Sequence, residues 1–366
     1  MERIRVGTVT ITQQDIDAVT KTLQSGFVGP GLLTKKFEQL ISEAHGFKYG
    51  LALNSGQSAL MVLAEALRKT HNTKRIAVPA VTYISSLSAM LQAGLQPVLA
   101  DVTPDCEAQM MYDTIDNNKV DAFLPCHLFG RCNDRDDKET NRRHGKFIIE
   151  DNCESIYAPG TGFGDAMCVS FFSSHAITAG FGGMILLNDE DLYFKCWQLV
   201  NHGRQDWDNY ASCAELKYKH VFSEVGYSLK FADINAALGI SQHEQAQVFI
   251  DQKRKNAKYL IDGLKDIDEL ILPKYDNHTF MLFPIVCKTD RRENLLAALH
   301  KVEIETRMMM PITNQPMVRE WFGPKIEDQF PNAKFINNHG FVLGCHQNLT
   351  QDDLDRIIET INVYYQ

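Results

Sequence analysis

From Tyr49 to Leu187 one pattern recurs, and it restricts the chain to few architectures: short apolar runs ending in polar or hydroxyl-bearing residues alternate with helical stretches. YGLAL leads into Asn54-Ser55-Gly56-Gln57-Ser58 and then a helix rich in Ala, Leu and Met. RIAVPAVTYISSLSAMLQAG and PVLADV read as strand, helix, strand. VDAFLPCHLFG and KFIIEDNCES each read as a strand with a polar end, and DAMCVSFFSSHAITAGFGGMILLND as two short strands joined by a hydroxyl-rich loop. Short apolar strands separated by helices predict an α/β domain with a mostly parallel sheet. Such a sheet gathers ligands beyond the C-terminal ends of its strands.

Two helices precede this region. TQQDIDAVTKTLQSG has apolar positions at helical spacing and stops at Gly26, and GPGLLTKKFEQLISEAHG is a Gly/Pro turn followed by a second helix. A long amphipathic helix, FADINAALGISQHEQAQVFIDQKRKNAKYLIDGL, follows the sheet region. The domain change is placed near its middle, dividing the chain into 1–245 and 246–366. The second part, with the strand HTFMLFPIVCK and the helix RRENLLAALHKV, reads as a smaller α+β domain, and NVYYQ as a short polar-aromatic end. A chain of 366 residues can bury one large core and a second, smaller one.

A net charge of -9 argues against a broad nucleic-acid or membrane-surface partner, while leaving room for a local basic pocket. No run reaches the roughly 18 apolar residues of a membrane helix, and the start lacks the apolar core of a signal peptide, so a cytoplasmic location is expected. Cys126, Cys132, Cys153 and Cys168 have no CxxC spacing and read as reduced thiols. Cys126 and His127 lack a compact set of further ligands, so no metal site is expected.

Several groups could carry chemistry. The Asn54–Ser58 turn opens a helix whose free N–H groups suit a phosphate, with Gly56 allowing close approach; an ordinary serine or asparagine cap explains the same residues equally well. Asp151 ends the run KFII and could pair with a protonated ring nitrogen, a role for which Glu150 and Glu154 compete. Ser170, Ser173, Ser174 and His175 cluster: serines hold phosphate, and a histidine moves protons near neutral pH. No GxSxG occurs, which disfavours a serine hydrolase. Tyr83 could stack on a flat ring or simply pack in the core. Lys230, Arg204 and Arg307 are candidate anion contacts. His202, Trp207 and Tyr210, in HGRQDWDNY, could meet a sugar or form a surface loop.

Taken in order, these segments resemble the DegT/DnrJ/EryC1/StrS family of sugar aminotransferases and their dehydratase relatives, which use pyridoxal phosphate. The resemblance runs through SGFVGPGLLTKKFE, LALNSGQSAL, VPAVTYISS, LPCHLFG, IIEDNCES, SFFSSHAITAGFGGMI, GYSLKFADINAALG and GCHQNLTQDDLDRI. It implies a fold-type I enzyme, with a three-layer large domain and a smaller C-terminal α+β domain. In that pattern Gly56, Gln57 and Ser170 bind the cofactor phosphate, Tyr83 covers one ring face and Asp151 pairs with the pyridine nitrogen. Glu154 belongs to the same cofactor site. Ser228 and Lys230, in GYSLK, reach a neighbouring subunit's cofactor, which implies a homodimer with shared active sites. Arg204 and Arg307 are the expected substrate contacts.

His175 sits where the sugar aminotransferases carry the lysine that holds the cofactor covalently. The chain thereby resembles the histidine-containing branch of GDP-4-keto-6-deoxy-D-mannose 3-dehydratases. The implied cofactor is pyridoxamine or pyridoxal 5′-phosphate, not linked to lysine. The implied reaction is C3 deoxygenation of a nucleotide-linked 4-keto-6-deoxyhexose, with His175 as base and glutamate as amino donor. A nucleotide-sugar aminotransferase, or an inactive homologue that only binds, is the alternative. Three positions depart from the pattern: Phe181 replaces the acid of GEGG, Ala176 a second histidine, and Ser228 an asparagine. Only Cys213 lies where an iron–sulfur branch carries a cysteine-rich segment, so no cluster is expected.

Overall fold

The computed structural model describes residues 2–132, 145–205 and 221–366. Helix α1 (Gln13–Ser25) opens on a reciprocal cap between Thr12 and Asp15 and closes at Gly26, whose φ of 74° favours glycine. Helix α2 (Leu32–Ala44) lacks a cap from its own preceding residue. Asp233, 199 residues away from Thr34, supplies one instead, accepting from the N–H groups of Leu33 and Thr34 and from the Thr34 hydroxyl.

Seven strands form the main sheet: β1 (Tyr49–Leu53), β2 (Arg75–Pro79), β3 (Gln96–Ala100), β4 (Ala122–Phe123), β5 (Phe147–Asp151), β6 (Ala166–Ser170) and β7 (Gly183–Leu187). Their order is β1-β7-β6-β5-β4-β2-β3. The pairs from β6 through β5, β4 and β2 to β3 are parallel. Strand β7 is antiparallel to both its neighbours. The expected mostly parallel sheet is therefore present with one reversed strand. The reason is local: residues 171–182 form a return loop, with no helix to carry the chain back across the sheet.

Side-chain alternation along the strands builds three layers. Leu51, Leu53, Cys168, Ile185 and Leu187 face a core shared with α3 (Gly56–Thr70), α4 (Ile84–Gln92) and α5 (Glu190–Val200). Ala52, Met167, Val169, Met184 and Leu186 point to the opposite core, with Phe37 and Ile41 of α2 and the start of α6 (Asp233–Leu264). Helix α6 runs unbroken, and its second half leaves this core for another.

That other core belongs to a four-stranded antiparallel sheet, order β10-β11-β9-β8. It contains β8 (Leu270–Ile271), β9 (Phe283–Cys287), β10 (Arg307–Met308) and β11 (Gly340–Leu343), with helices α7 (Arg292–Lys301), α8 (Pro316–Phe322), α9 (Pro331–His339) and α10 (Gln351–Tyr365) around it. Ile4 bridges to Ile304 and packs in the same core, so the start of the chain joins this smaller unit. NVYYQ, read as a separate end, continues α10 up to Tyr365, because the Thr350/Asp353 capping box and the buried Leu354, Ile357 and Ile361 sustain one amphipathic helix. Among the described residues no helix is long and apolar enough to cross a membrane.

Candidate active site

Strands β1, β2, β4, β5 and β6 end on one side of the main sheet, and a cavity of about 570 Å³ opens there. Met281, Leu282, Arg307 and Val342 close it from the smaller unit. The main sheet's topology therefore brings Gly56, Gln57, Tyr83, Asp151, Glu154, Ser170 and His175 to one side of the cavity, and Arg307 faces them from the smaller unit.

One end of the cavity presents the N-terminus of α3. Ser55 caps α3 by accepting from the Ser58 N–H at 3.1 Å, while Gly56 and Gln57 occupy the first helical turn. Their N–H groups have no partner within the helix and carry the positive end of its dipole. A Cβ on Gly56 would lie 2.9 Å from both the Cys153 sulfur and the Ser170 Cβ. A Cβ on Gly183 would lie 2.5 Å from the Gly56 nitrogen. Both glycines are thus required to bring the β6 end, the β7 start and the α3 terminus together. The cap read from the sequence is made by Ser55, and Gly56, Gln57 and Ser170 line the cavity beside it.

Asp151 ends β5 at the cavity floor and is buried. Its Oδ2 accepts from the Ser86 hydroxyl at 2.6 Å and from the Cys126 thiol at 3.8 Å; its Oδ1 accepts from the Cys153 N–H at 3.3 Å. Burial pushes the thiols of Cys126 and Cys153 well up, so both stay protonated. Strand alternation decides between the neighbouring acids. Glu150 points away, into a buried contact with His127 Nε2 at 2.8 Å and with the N–H groups of Gly162 and Gly164. Glu154 lines the cavity and accepts from the Phe129 N–H at 3.0 Å. Burial first, and the nearby Asp151 charge second, push its carboxyl up to about 7 against that hydrogen bond.

His175 lies in the loop between β6 and β7, half-buried in the cavity wall. Its Nδ1 is 3.4 Å from the Ser170 carbonyl, which can only accept, so Nδ1 carries the proton of the neutral ring and Nε2 keeps its lone pair. Burial lowers the imidazole from 6.5 to about 4; the Ser170 carbonyl and Asp151 oppose this, and Lys253 adds to it. At neutral pH His175 is therefore a neutral proton acceptor. The Phe172 ring meets His175 edge-on at 5.7 Å and Phe181 at 5.6 Å, giving the base an apolar flank. The Tyr83 ring, 59% exposed, stands at the cavity mouth.

The residues present fit a flat phosphorylated pyridine. There is an anion cradle at α3, a buried carboxylate with only neutral partners, and an aromatic ring at the mouth. Among the described residues no lysine lines the cavity. Ser228 and Lys230 are exposed and outside it, in a segment that pairs with Asn201 and Leu53. Arg204, bridged to Phe222, is also outside. His202 is exposed, and Trp207, Tyr210 and Cys213 lie outside the described residues. No group of three or more potential metal ligands occurs among the described residues. The sequence reading missed Ser86, Cys153, Phe172 and the methionines of the smaller unit. Ser86 carries no motif of its own and is found only through its contact with Asp151.

The sequence model of the DegT/DnrJ/EryC1/StrS aminotransferase family matches residues 9–362. The GDP-perosamine synthase of Escherichia coli O157:H7 is 29% identical over 383 residues, covering 100% of this chain and 99% of that protein. The GDP-4-keto-6-deoxy-D-mannose 3-dehydratase of Escherichia coli O55:H7 is 26% identical over 374 residues, covering 94% of this chain and 95% of its own. Among solved structures, Helicobacter pylori PseC, an aminotransferase of pseudoaminic acid biosynthesis, superposes with a TM-score of 0.89 at 20% identity, covering 100% of this chain and 99% of the other; at that identity the likeness speaks for the fold.

Proposed function

The chain belongs to the DegT/DnrJ/EryC1/StrS aminotransferase family, and from that premise we propose that it deoxygenates C3 of a nucleotide-linked 4-keto-6-deoxyhexose, with His175 as the proton-transfer base. It is a fold-type I enzyme, dependent on pyridoxal or pyridoxamine phosphate, that modifies a nucleotide-linked sugar. The observation that carries the finer reading is His175 in the wall of a cavity that no described lysine lines. The cofactor, when bound, supplies an electron sink that lets the C3 hydroxyl leave.

The chain's own residues do the rest. Gly56, Gln57 and Ser170 would hold the phosphate, Asp151 the ring nitrogen, and Glu154 the polar edge of the ring, with Tyr83 across its face. His175 Nε2 takes a proton and returns it, kept neutral by burial. Phe172 holds the His175 ring edge-on, and Phe181 backs Phe172. Arg307 meets the anionic part of the substrate. Ser228, Lys230 and Arg204, outside this chain's own cavity, are assigned to the site of a second copy in a homodimer. Glutamate is the amino donor that restores the cofactor's amine.

Transamination of the same substrate class is the second reading. The higher identity to a GDP-perosamine synthase, 29% against 26% for the 3-dehydratase, favours it. The two readings differ in how the cofactor is held. Borohydride treatment of the pyridoxal phosphate-loaded protein, followed by peptide mass spectrometry, is expected to find no cofactor-labelled lysine. A labelled lysine would overturn the histidine reading.

A further inference from the structure

We infer that Thr82 and Ser86 form a one-directional hydroxyl relay that positions Asp151 for a cationic ring nitrogen, Ser86 being a positioning residue. The inference rests on the reading that Asp151 meets that nitrogen. Ser86 Oγ donates to Asp151 Oδ2 at 2.6 Å, which uses its single hydrogen. The 2.9 Å contact between Thr82 Oγ1 and Ser86 Oγ must then run from Thr82 to Ser86. All three residues are buried.

The relay divides the carboxylate into two unlike oxygens. Oδ2 takes the Ser86 hydroxyl at 2.6 Å, with the Cys126 thiol at 3.8 Å shared with the Leu124 carbonyl; Oδ1 takes the Cys153 N–H at the longer distance of 3.3 Å. Oδ1 therefore retains acceptor capacity for the ligand. Among the described residues the partners of Asp151 are all neutral. Neutral donors fix the orientation of a carboxylate without cancelling its charge, and a buried anion so held favours an incoming cation. The relay also ties two functions to one turn. Thr82 immediately precedes Tyr83, and Ser86 sits in the first turn of α4, so a single loop sets both the ring cover and the carboxylate.

The test titrates pyridoxal phosphate into the wild type, Ser86→Ala, Ser86→Thr, Asp151→Asn and the Ser86→Ala/Asp151→Asn double variant. Three quantities are read: affinity, the pH at which the bound cofactor's absorption changes, and the melting temperature of the cofactor-free protein. Loss of a hydrogen bond to a charged group should weaken binding by Ser86→Ala about tenfold or more. It should also lower the pH at which the ring nitrogen gives up its proton. Ser86→Thr should restore both. In the Asp151→Asn background Ser86→Ala should add no further loss. Wild-type affinity and pH midpoint in Ser86→Ala would overturn the relay, as would an equal loss in both backgrounds, which marks a merely structural role. A wild type that does not bind pyridoxal phosphate would sink the cofactor reading itself, and the relay with it.

Discussion

A neutral imidazole stands at position 175 because burial outweighs the carbonyl of Ser170 and the charge of Asp151. The expected pH behaviour follows. With His175 as the proposed base, turnover should hold across neutral pH and fall as pH drops toward about 4. His175→Asn keeps a polar side chain of similar reach and removes the titratable base. It should lower turnover by roughly 10²–10⁴-fold, while cofactor affinity, followed by absorption, stays near that of the wild type. A fall in affinity matching the fall in turnover would instead make His175 a binding group. At this scale much was legible in the sequence, because a motif marks a position even when its usual residue is changed. Ser86 and Phe172 were not legible: the partners that give them meaning are 65 residues away at Asp151 and across the loop at Phe181.

The anion cradle is a property of elements. It needs the α3 terminus, the end of β6 and the start of β7 within van der Waals contact, and two glycines allow this: Gly183 abuts the Ser55–Gly56 backbone, and Gly56 the Ser170 side chain. Gly56→Ala places a Cβ 2.9 Å from Ser170, and such overpacking typically costs about 1–3 kcal/mol. The expected result is a modestly lower melting temperature with a large loss of pyridoxal phosphate affinity. Retained affinity would show that the phosphate lies elsewhere. The sequence announced the strands and helices through apolar runs and caps, and the helix-opening turn through Asn54–Ser58. It did not announce the reversal of β7. A return loop and a crossover differ only in the path taken between two equally apolar strands.

On the scale of the whole molecule, two sheets meet at the cavity: one face of the smaller sheet joins the large core through Val286 and Val342, and its other face builds a second core that takes in Ile4 and the last helix. Histidines held below their ordinary value are found in both units. His45 is lowered to about 4 and His278 to about 3, in each case chiefly by burial, as His175 is. Their unfolded value is 6.5, so below it the unfolded chain binds protons that the folded chain refuses. Stability from these groups is thus fully present above about 6.5 and is lost as pH falls toward 4. Glu38 and Glu154, raised to about 7 chiefly by burial, act the other way between about 7 and 4.5, so the histidine contribution is read as the difference in melting temperature between the wild type and His278→Asn. That difference should shrink as pH falls from about 6.5 toward 3; a difference independent of pH would mean that the His278 ring titrates in the fold as it does in the unfolded chain. The joining of the first residues to the last core was illegible, since the short alternation of Ile4 and Val6 does not say which distant element it will meet.

The central claim is that this chain removes an oxygen from its sugar rather than adding a nitrogen, and ¹⁵N-labelled glutamate separates the two outcomes in one reaction. The cofactor-loaded enzyme is supplied with the labelled donor and a panel of GDP-, CDP- and dTDP-linked 4-keto-6-deoxyhexoses, and the products are read by NMR and mass spectrometry. Deoxygenation loses the C3 hydroxyl as water, and hydrolysis then releases the donated nitrogen. The expected result is a 3-deoxy sugar free of label, with ¹⁵N appearing as ammonium. A sugar carrying ¹⁵N with its C3 hydroxyl intact would contradict the claim and establish transamination.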